Sequence, residues 1–177
     1  SVSDAFKSLV AVDTTAARLL VESLLKRDSH NDVIRKSAIT YFGSVINDNN
    51  YDRLVELSEY GGSSWDSRPE AVRQLGKYAK DKPGTLQIFV NLLKDKSRDV
   101  RRNSVRMIGS HGEKKNIGDL DEVLERDPII SRDVRNAKKR ILSSSRFSTK
   151  KALEEELEET KKILNDIHKI IKYKSVN

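Results

Sequence analysis

The feature that most constrains the fold of this chain is a segment that recurs at a nearly constant spacing. It is clearest as SRDVRRNSVRMIG over residues 97–109, where Arg101 marks its register. Corresponding arginines stand 33 or 34 residues apart in the sequence, at Arg35, Arg68 and Arg135. Self-similarity at a period in the low thirties is typical of a solenoid, in which short units stack and each contacts only its neighbours.

The units read as pairs of amphipathic helices. Apolar residues recur at spacings of three and four, and no segment alternates with a period of two, so we expect helices and essentially no sheet. In the first strong helix the predicted buried stripe is Ala16, Leu19, Leu20, Ser23 and Leu24. In SRDVRRNSVRMIG it is Val100, Ser104, Val105 and Ile108. We therefore predict an all-α solenoid of about four helical pairs over residues 1–145, with a partial repeat at 1–13.

Two recurring residue types are assigned structural roles. An aspartate stands just before each marker arginine and is predicted to cap the following helix, at Asp32, Asp66, Asp99 and Asp133. The marker arginines themselves are predicted to bridge to carboxylates of the next repeat and so form a ladder along the stack. Small residues three positions after the marker would let adjacent helices approach closely, at Ala38, Ala71 and Ser104.

A different pattern follows the last repeat. We read SSSRFSTK as a hinge, after which Ser148 or Thr149 would cap a long helix over 149–174. Apolar seam positions then follow each other by four and three residues, as in a heptad: Leu153, Leu157, Thr160, Leu164, Ile167 and Ile171. This seam could dimerise, but docking against the last repeat or against another part of a parent protein is the favoured interpretation.

Composition restricts the function classes. The chain has no cysteine, so disulfides and thiolate metal sites are impossible and a cytoplasmic location is predicted. It lacks a long apolar run, and no membrane segment is expected. The formal net charge of +7 would attract acidic partners.

The sequence contains no recognisable catalytic or metal-binding motif. The three histidines, His30, His111 and His168, stand in no HExxH-type arrangement, which favours ordinary surface or loop histidines over a metal site. No serine lies in a nucleophile-elbow sequence, and there is no glycine-rich phosphate loop. We therefore predict no catalytic residue, no metal ligand and no cofactor in this chain.

The candidate binding residues are arginines. Arg98, Arg102 and Arg106 are spaced by four and would form one ridge on a helix, and Arg132 and Arg140 occupy the places of Arg98 and Arg106 in the next repeat. Such a ridge could follow a phosphate backbone. Pairing with aspartates in the neighbouring turns is the favoured alternative, since acidic residues dilute the cluster and no aromatic residue interleaves it for base stacking. Those aspartates are Asp95, Asp99, Asp127 and Asp133.

Three segments in order carry a family resemblance. They are the D-S-H-x-x-V-I-R segment from Asp28 to Arg35, the tyrosine-glycine break at Tyr60-Gly61, and the D-x-R-x-x-A helix from Asp66 to Ala71. The repeats resemble HEAT repeats of the short bacterial and archaeal type. The ordered set, across residues 15–145, is similar to the C-terminal helical region of prokaryotic zinc aminopeptidases of the aminopeptidase N-like, gluzincin kind.

The resemblance implies a right-handed solenoid and a non-catalytic role. HExxH, its downstream glutamate ligand and the G-x-M-E-N loop of that family are absent from this sequence, so zinc is expected only in the catalytic domain of a parent enzyme. The implied role is to close off the active-site chamber and limit peptide access. No clear terminal cap precedes the first repeat, and we expect the chain to be a piece of a longer protein. The alternatives are a stand-alone protein-binding scaffold and, less favoured, a nucleic-acid-binding repeat protein.

Overall fold

The fold is all-α, as predicted. The computed structural model describes residues 14–174, with side chains described for residues 15–144 and at selected positions between 150 and 165. Within this part the chain forms eight α-helices and no strand. The helices are α1 (Thr14–Leu25), α2 (Val33–Phe42), α3 (Asp48–Ser58), α4 (Arg68–Leu75), α5 (Gly84–Leu92), α6 (Arg98–His111), α7 (Ile117–Arg126) and α8 (Ser131–Lys174). The predicted partial repeat at 1–13 lies outside the described residues.

Successive helices pack in pairs, and the pairs pack in a row. α1 contacts α2, α3 contacts α4, α5 contacts α6, and α7 contacts α8. The second helices of the pairs then join the row, because α2 packs on α4, α4 on α6, and α6 on α8. Each unit therefore completes its core with its neighbours, which is the arrangement of an α-solenoid.

The buried stripes follow the helical period. In α6 the predicted set Val100, Ser104, Val105 and Ile108 is buried as expected. In α1 the predicted stripe is wrong except at Leu24, which is half-buried against the core. The buried residues are Ala17, Val21 and Leu25, whereas Leu19 and Leu20 are 69% and 43% exposed. Two adjacent stripes of α1 are apolar, and packing against α2 selects one of them.

Small residues bring the second helices close together. Ala38, Ala71 and Ser104 are completely buried. A close backbone approach lies at Gly109 of α6, where a Cβ atom would stand 2.6 Å from the Cα atom of Ala137 in α8. Glycine is required there because any side chain would overlap the backbone of the neighbouring helix.

The predicted aspartate caps are wrong. α4 begins two residues after Asp66, whereas α6 and α8 include Asp99 and Asp133 in their first turns. Asp32 does precede α2, but its backbone is left-handed with a φ of 55° and its side chain makes no cap hydrogen bond. Instead, Asp32 accepts hydrogen bonds from Arg35, at 2.7 Å, and from Ser64 of the next unit. Partners in the tertiary structure replace the local cap.

The predicted hinge at SSSRFSTK is also wrong, because α8 runs without interruption from Ser131 to Lys174. The segment contains neither glycine nor proline, so nothing in it forces a helix to end. Leu153, Leu157 and Leu164 are 60%, 54% and 67% exposed, so the favoured docking of the seam on the last repeat is not observed at these positions. The side chains of Ile167 and Ile171 lie outside the described residues. The division into domains at 1–145 and 149–174 stays a prediction.

Across residues 14–174, none of the helices combines the length and the apolar composition needed to cross a membrane.

Candidate interaction surface

The marker arginines Arg35 and Arg68 lie at the turn between the two helices of their pairs, where each binds the end of the first helix. Nε of Arg35 donates to the carbonyl oxygen of Leu25, the last residue of α1, at 2.7 Å. Nε and Nη2 of Arg68 donate to the carbonyl oxygen of Ser58, the last residue of α3, at 3.2 and 3.0 Å. The last carbonyls of a helix lack partners inside it, so these arginines cap the C-terminal end.

Two of the marker arginines also reach into the next pair. Arg68 forms an ion pair with Asp95, and the two side chains are only 2% and 7% exposed. Arg101 pairs in the same way with Asp127 in the turn between α7 and α8. The ladder of ion pairs predicted between successive repeats is thus present at these two positions. Arg135, the equivalent residue of the last pair, is exposed.

A second set of arginines faces outward on α6 and α8, and we call it the arginine face. Its members are Arg98, Arg102, Arg106, Arg132 and Arg140. Arg102 and Arg106 both donate through Nε to the carboxylate of Asp133, at 2.8 and 2.9 Å. Arg98 lies with its Nε 3.5 Å from the carboxylate of Asp127. The structure therefore places the predicted ridge against the predicted aspartates of the following turn and helix.

The arginine face keeps most of its donors free. Arg98, Arg102 and Arg106 use only Nε, and their terminal nitrogens have no hydrogen bond within the described residues. Their side chains are 54%, 36% and 43% exposed. Arg132 is exposed without an ion pair in the described part of the chain, and Nη1 of Arg140 lies 3.5 Å from the Ser110 hydroxyl. The guanidinium groups of Arg102 and Arg106 are thus held by a hydrogen bond at one nitrogen and remain open at the others.

The two aspartates beneath the face are held in the ionised form. Burial alone would raise the pKa of Asp133, but hydrogen bonds from Arg102 and Arg106 and their positive charges outweigh this and hold that pKa below its ordinary value. The pKa of Asp127 is lowered in the same way. Burial opposes ionisation there, and the hydrogen bond and charge of Arg101 together with the charge of Arg98 overcome it. Both carboxylates therefore stay charged at neutral pH.

A cleft runs between α6 and α8 along this face. One part has a volume of about 420 Å³ and is lined by Arg106, Arg132, Asp133, Asn136, Ala137 and Arg140. A second part of about 530 Å³ is a shallow, open depression lined by Gly109, Ser110, Arg140, Ser143 and Ser144. Arg140 lines both parts, so a cationic section passes into a neutral section rich in hydroxyl groups.

Several features of this surface were not predicted from the sequence. The sharing of Asp133 by two arginines and the complete burial of Arg68 were missed. Asp95 was expected near the ridge but pairs with Arg68, and Asp99 makes no ion pair among the described residues. One sequence signal could have separated the two sets of arginines. Successive residues of a helix are rotated by about 100°, so Arg101 and Arg102 must point in different directions. That angle indicates different faces, but it does not say which face is inward.

Metal coordination finds no support in this part of the chain. Among the described side chains, no group of three or more histidines, aspartates or glutamates is placed to hold a metal ion.

Comparison with known proteins identifies the type of helical repeat in this stack. A protein-family model for HEAT repeats matches residues 51–139, from α3 into α8. A search of curated proteins and a search of solved structures each found no match. The matched region covers half of the chain and contains the ion-pair ladder, the glycine contact and four members of the arginine face. The chain belongs to the HEAT-repeat family.

Proposed function

We propose that this chain is a protein-binding helical-repeat scaffold. The observation that carries the proposal is a row of packed helical pairs that matches HEAT repeats over residues 51–139. Because each pair contacts only its neighbours, a helical-repeat stack presents an extended surface, and such surfaces commonly bind other proteins. The outward arginines on α6 and α8 give part of this surface a strong positive charge.

Cross-linking in a lysate of the source cells, followed by reconstitution, tests the proposal. We expect cross-links from one protein partner to concentrate on one face of the stack and to disappear when excess unlabelled chain competes. The purified partner should then bind the purified chain saturably. Cross-links scattered over all faces, with no saturable binding after purification, would contradict a scaffold role.

A second candidate places the chain in a larger enzyme. On this interpretation it is the non-catalytic C-terminal region of a zinc-dependent aminopeptidase, where it covers the active-site chamber and limits peptide access. The zinc and all catalytic residues would belong to the parent's catalytic domain, which would then be the partner of this chain. A right-handed stack of about four HEAT-like pairs and a cytoplasmic location form part of the same proposal.

The specific observation that favours this candidate is that its third segment contacts the second directly and the first through Ser64. Asp32 of the first segment accepts a hydrogen bond from Ser64, which follows the tyrosine-glycine break. The ring of Tyr60 at that break lies 5.6 Å from the guanidinium carbon of Arg68 in the third segment. The segments thus form one connected unit at the junction of the first two pairs.

The parent reading frame gives the direct test of the second candidate. An HExxH motif encoded upstream in the same frame would support it, and its absence would remove it. The purified chain should not hydrolyse an aminoacyl-p-nitroanilide with or without zinc. If the upstream motif is present, the catalytic domain lacking this region should accept large folded substrates that the full enzyme excludes, while its hydrolysis of the small substrate stays the same.

A further inference from the structure

We propose that the arginine face binds an extended, carboxylate-rich segment of a partner protein. This inference rests on the scaffold function proposed above and names the surface and the ligand chemistry. It concerns the arginine face and the adjoining cleft between α6 and α8, which Arg106, Arg132 and Arg140 line.

Charge balance is the first step of the argument. Asp127 and Asp133 are the only carboxylates that contact these arginines among the described residues, and Asp127 also pairs with Arg101. Arg98, Arg101, Arg102 and Arg106 contact these two carboxylates, whereas Arg132 and Arg140 have no ion pair among the described residues, so the six guanidinium groups exceed the two carboxylates by four positive charges. Internal pairing therefore leaves most of the charge of the face unneutralised. An anionic ligand would neutralise this remaining positive charge.

Preorganisation is the second step. Arg102 and Arg106 are fixed through Nε to Asp133, whose side chain is only 11% exposed. Their terminal nitrogens remain free, and a planar guanidinium offers these donors in a fork that matches a carboxylate. Side chains already held in position lose less conformational entropy when they bind a ligand.

Spacing is the third step. Arg98, Arg102 and Arg106 are four residues apart, which is about 6 Å along a helix. Two residues of an extended peptide advance about 6.6 Å, so acidic side chains at alternate positions would fall in register with successive arginines. The predicted ligand is thus an extended segment with aspartate or glutamate at every second residue.

The surroundings favour a peptide over a nucleic acid. Among the residues whose side chains the structure describes, no aromatic side chain lines the cleft to provide a stacking surface for a base. Its neutral section offers the hydroxyl groups of Ser110, Ser143 and Ser144. Those of Ser110 and Ser143 already donate to the carbonyl oxygens of Arg106 and Arg140, so their oxygens can accept from the N–H groups of a peptide backbone. The arginines of α6 span only about 12 Å, which is the length of about four extended residues.

Binding of defined probes to the full chain tests the proposal. The ligand is a short dye-labelled peptide of alternating Glu and Ser, and its Gln counterpart carries no charge. We expect saturable, salt-sensitive binding of the Glu peptide and none of the Gln peptide. Arg132→Glu with Arg140→Glu should weaken the binding by at least about tenfold, because like charges now face the ligand.

A matched control is available at the other end of the stack. Arg18 on α1 and Arg27 just after it are exposed, and the double change Arg18→Glu with Arg27→Glu alters the net charge equally. This variant should bind the Glu peptide like the unchanged chain. Arg132→Gln with Arg140→Gln, checked for helicity, gives a milder second variant if the charge reversal disturbs folding.

The outcomes separate the alternatives. Equal binding of the Glu and Gln peptides, or equal loss in both charge-reversed variants, would overturn the proposal. So would a DNA duplex that displaces the Glu peptide and binds more tightly with the same dependence on Arg132 and Arg140. If the cross-linked protein partner still binds Arg132→Glu with Arg140→Glu unchanged, the cleft proposal fails while the scaffold function stands.

Discussion

The arginines of the ladder are largely buried and paired, whereas those of the arginine face are more exposed and keep free donors. Arg68 is buried and directs its donors inward, to a helix end and to Asp95. Arg102 is anchored at one nitrogen and exposes the rest. Arg101 and Arg102 are adjacent in sequence, yet the first belongs to the ladder and the second to the outer face. Arginine content alone therefore says little about binding, because the direction of each side chain decides whether its charge is already used.

The largest expected effect comes from breaking the ladder. Arg68→Ala would leave the buried carboxylate of Asp95 and the carbonyl of Ser58 without their partner, and we expect a loss of about 3–5 kcal/mol in the free energy of unfolding. Urea denaturation measures it. Arg135→Ala removes the equivalent, exposed arginine of the last pair and should change stability by less than about 0.5 kcal/mol. Equal losses of stability from the two changes would show that the buried arginine of the ladder stabilises the fold no more than an exposed one.

The glycine contact beneath the arginine face sets the distance between α6 and α8. Gly109→Ala would place a methyl group against the backbone of Ala137, and we expect it to cost about 1–3 kcal/mol in urea denaturation. Gly118 in α7 is the control, because nothing lies within 4 Å of a Cβ atom there. Gly118→Ala should stabilise the helix by about 0.5–1 kcal/mol. A neutral Gly109→Ala would mean that the helices can separate freely and that the cleft has no fixed width.

Acid should weaken both sets of arginine contacts. The folded-state pKa values of Asp127 and Asp133 lie below the unfolded value of 3.8. Their stabilising contribution is therefore complete above pH 3.8 and is lost as the pH falls below that value through the folded-state pKa. Asp133→Asn removes the negative charge that Arg102 and Arg106 contact and leaves the ladder intact. We expect it to cost about 1 kcal/mol at neutral pH and less in acid.

Measuring the free energy of unfolding of both proteins from pH 7 down to the acid transition checks this expectation. A difference between them that stays constant across the range would indicate that Asp133 does not stabilise the fold as a charged group. Asp127→Asn should show the same trend, with the contact of Arg101 in the ladder lost as well.

The smallest effect on stability is expected from the tail. Removing residues 149–177 takes away none of the described contacts of the ladder or the arginine face, and Leu153, Leu157 and Leu164 are already exposed. The free energy of unfolding should change by less than about 0.5 kcal/mol. A larger loss would mean that the tail supports the stack. Sedimentation of both forms also decides whether the heptad seam dimerises the chain.

Much of the fold could be predicted because it depends on spacing. The period of the marker arginines located the pairs, the spacing of apolar residues identified helices, and small residues such as Ala38 and Ala71 marked the contacts between them. The candidate surface was predicted in part. Residues spaced by four must share one side of a helix, which placed Arg98, Arg102 and Arg106 together. The pattern did not indicate which of their donors would remain free.

Local sequence determined the helices, their repetition and the residues that share each face, because backbone geometry repeats every 3.6 residues wherever no glycine or proline interrupts it. Only the tertiary structure selected Ala17 and Val21 over Leu19 and Leu20 as the inward stripe, and drew Asp133 to two arginines instead of a cap. Each of those choices was nearly balanced within its own segment. The neighbouring repeat, by burying one face or supplying a charge, tipped the balance.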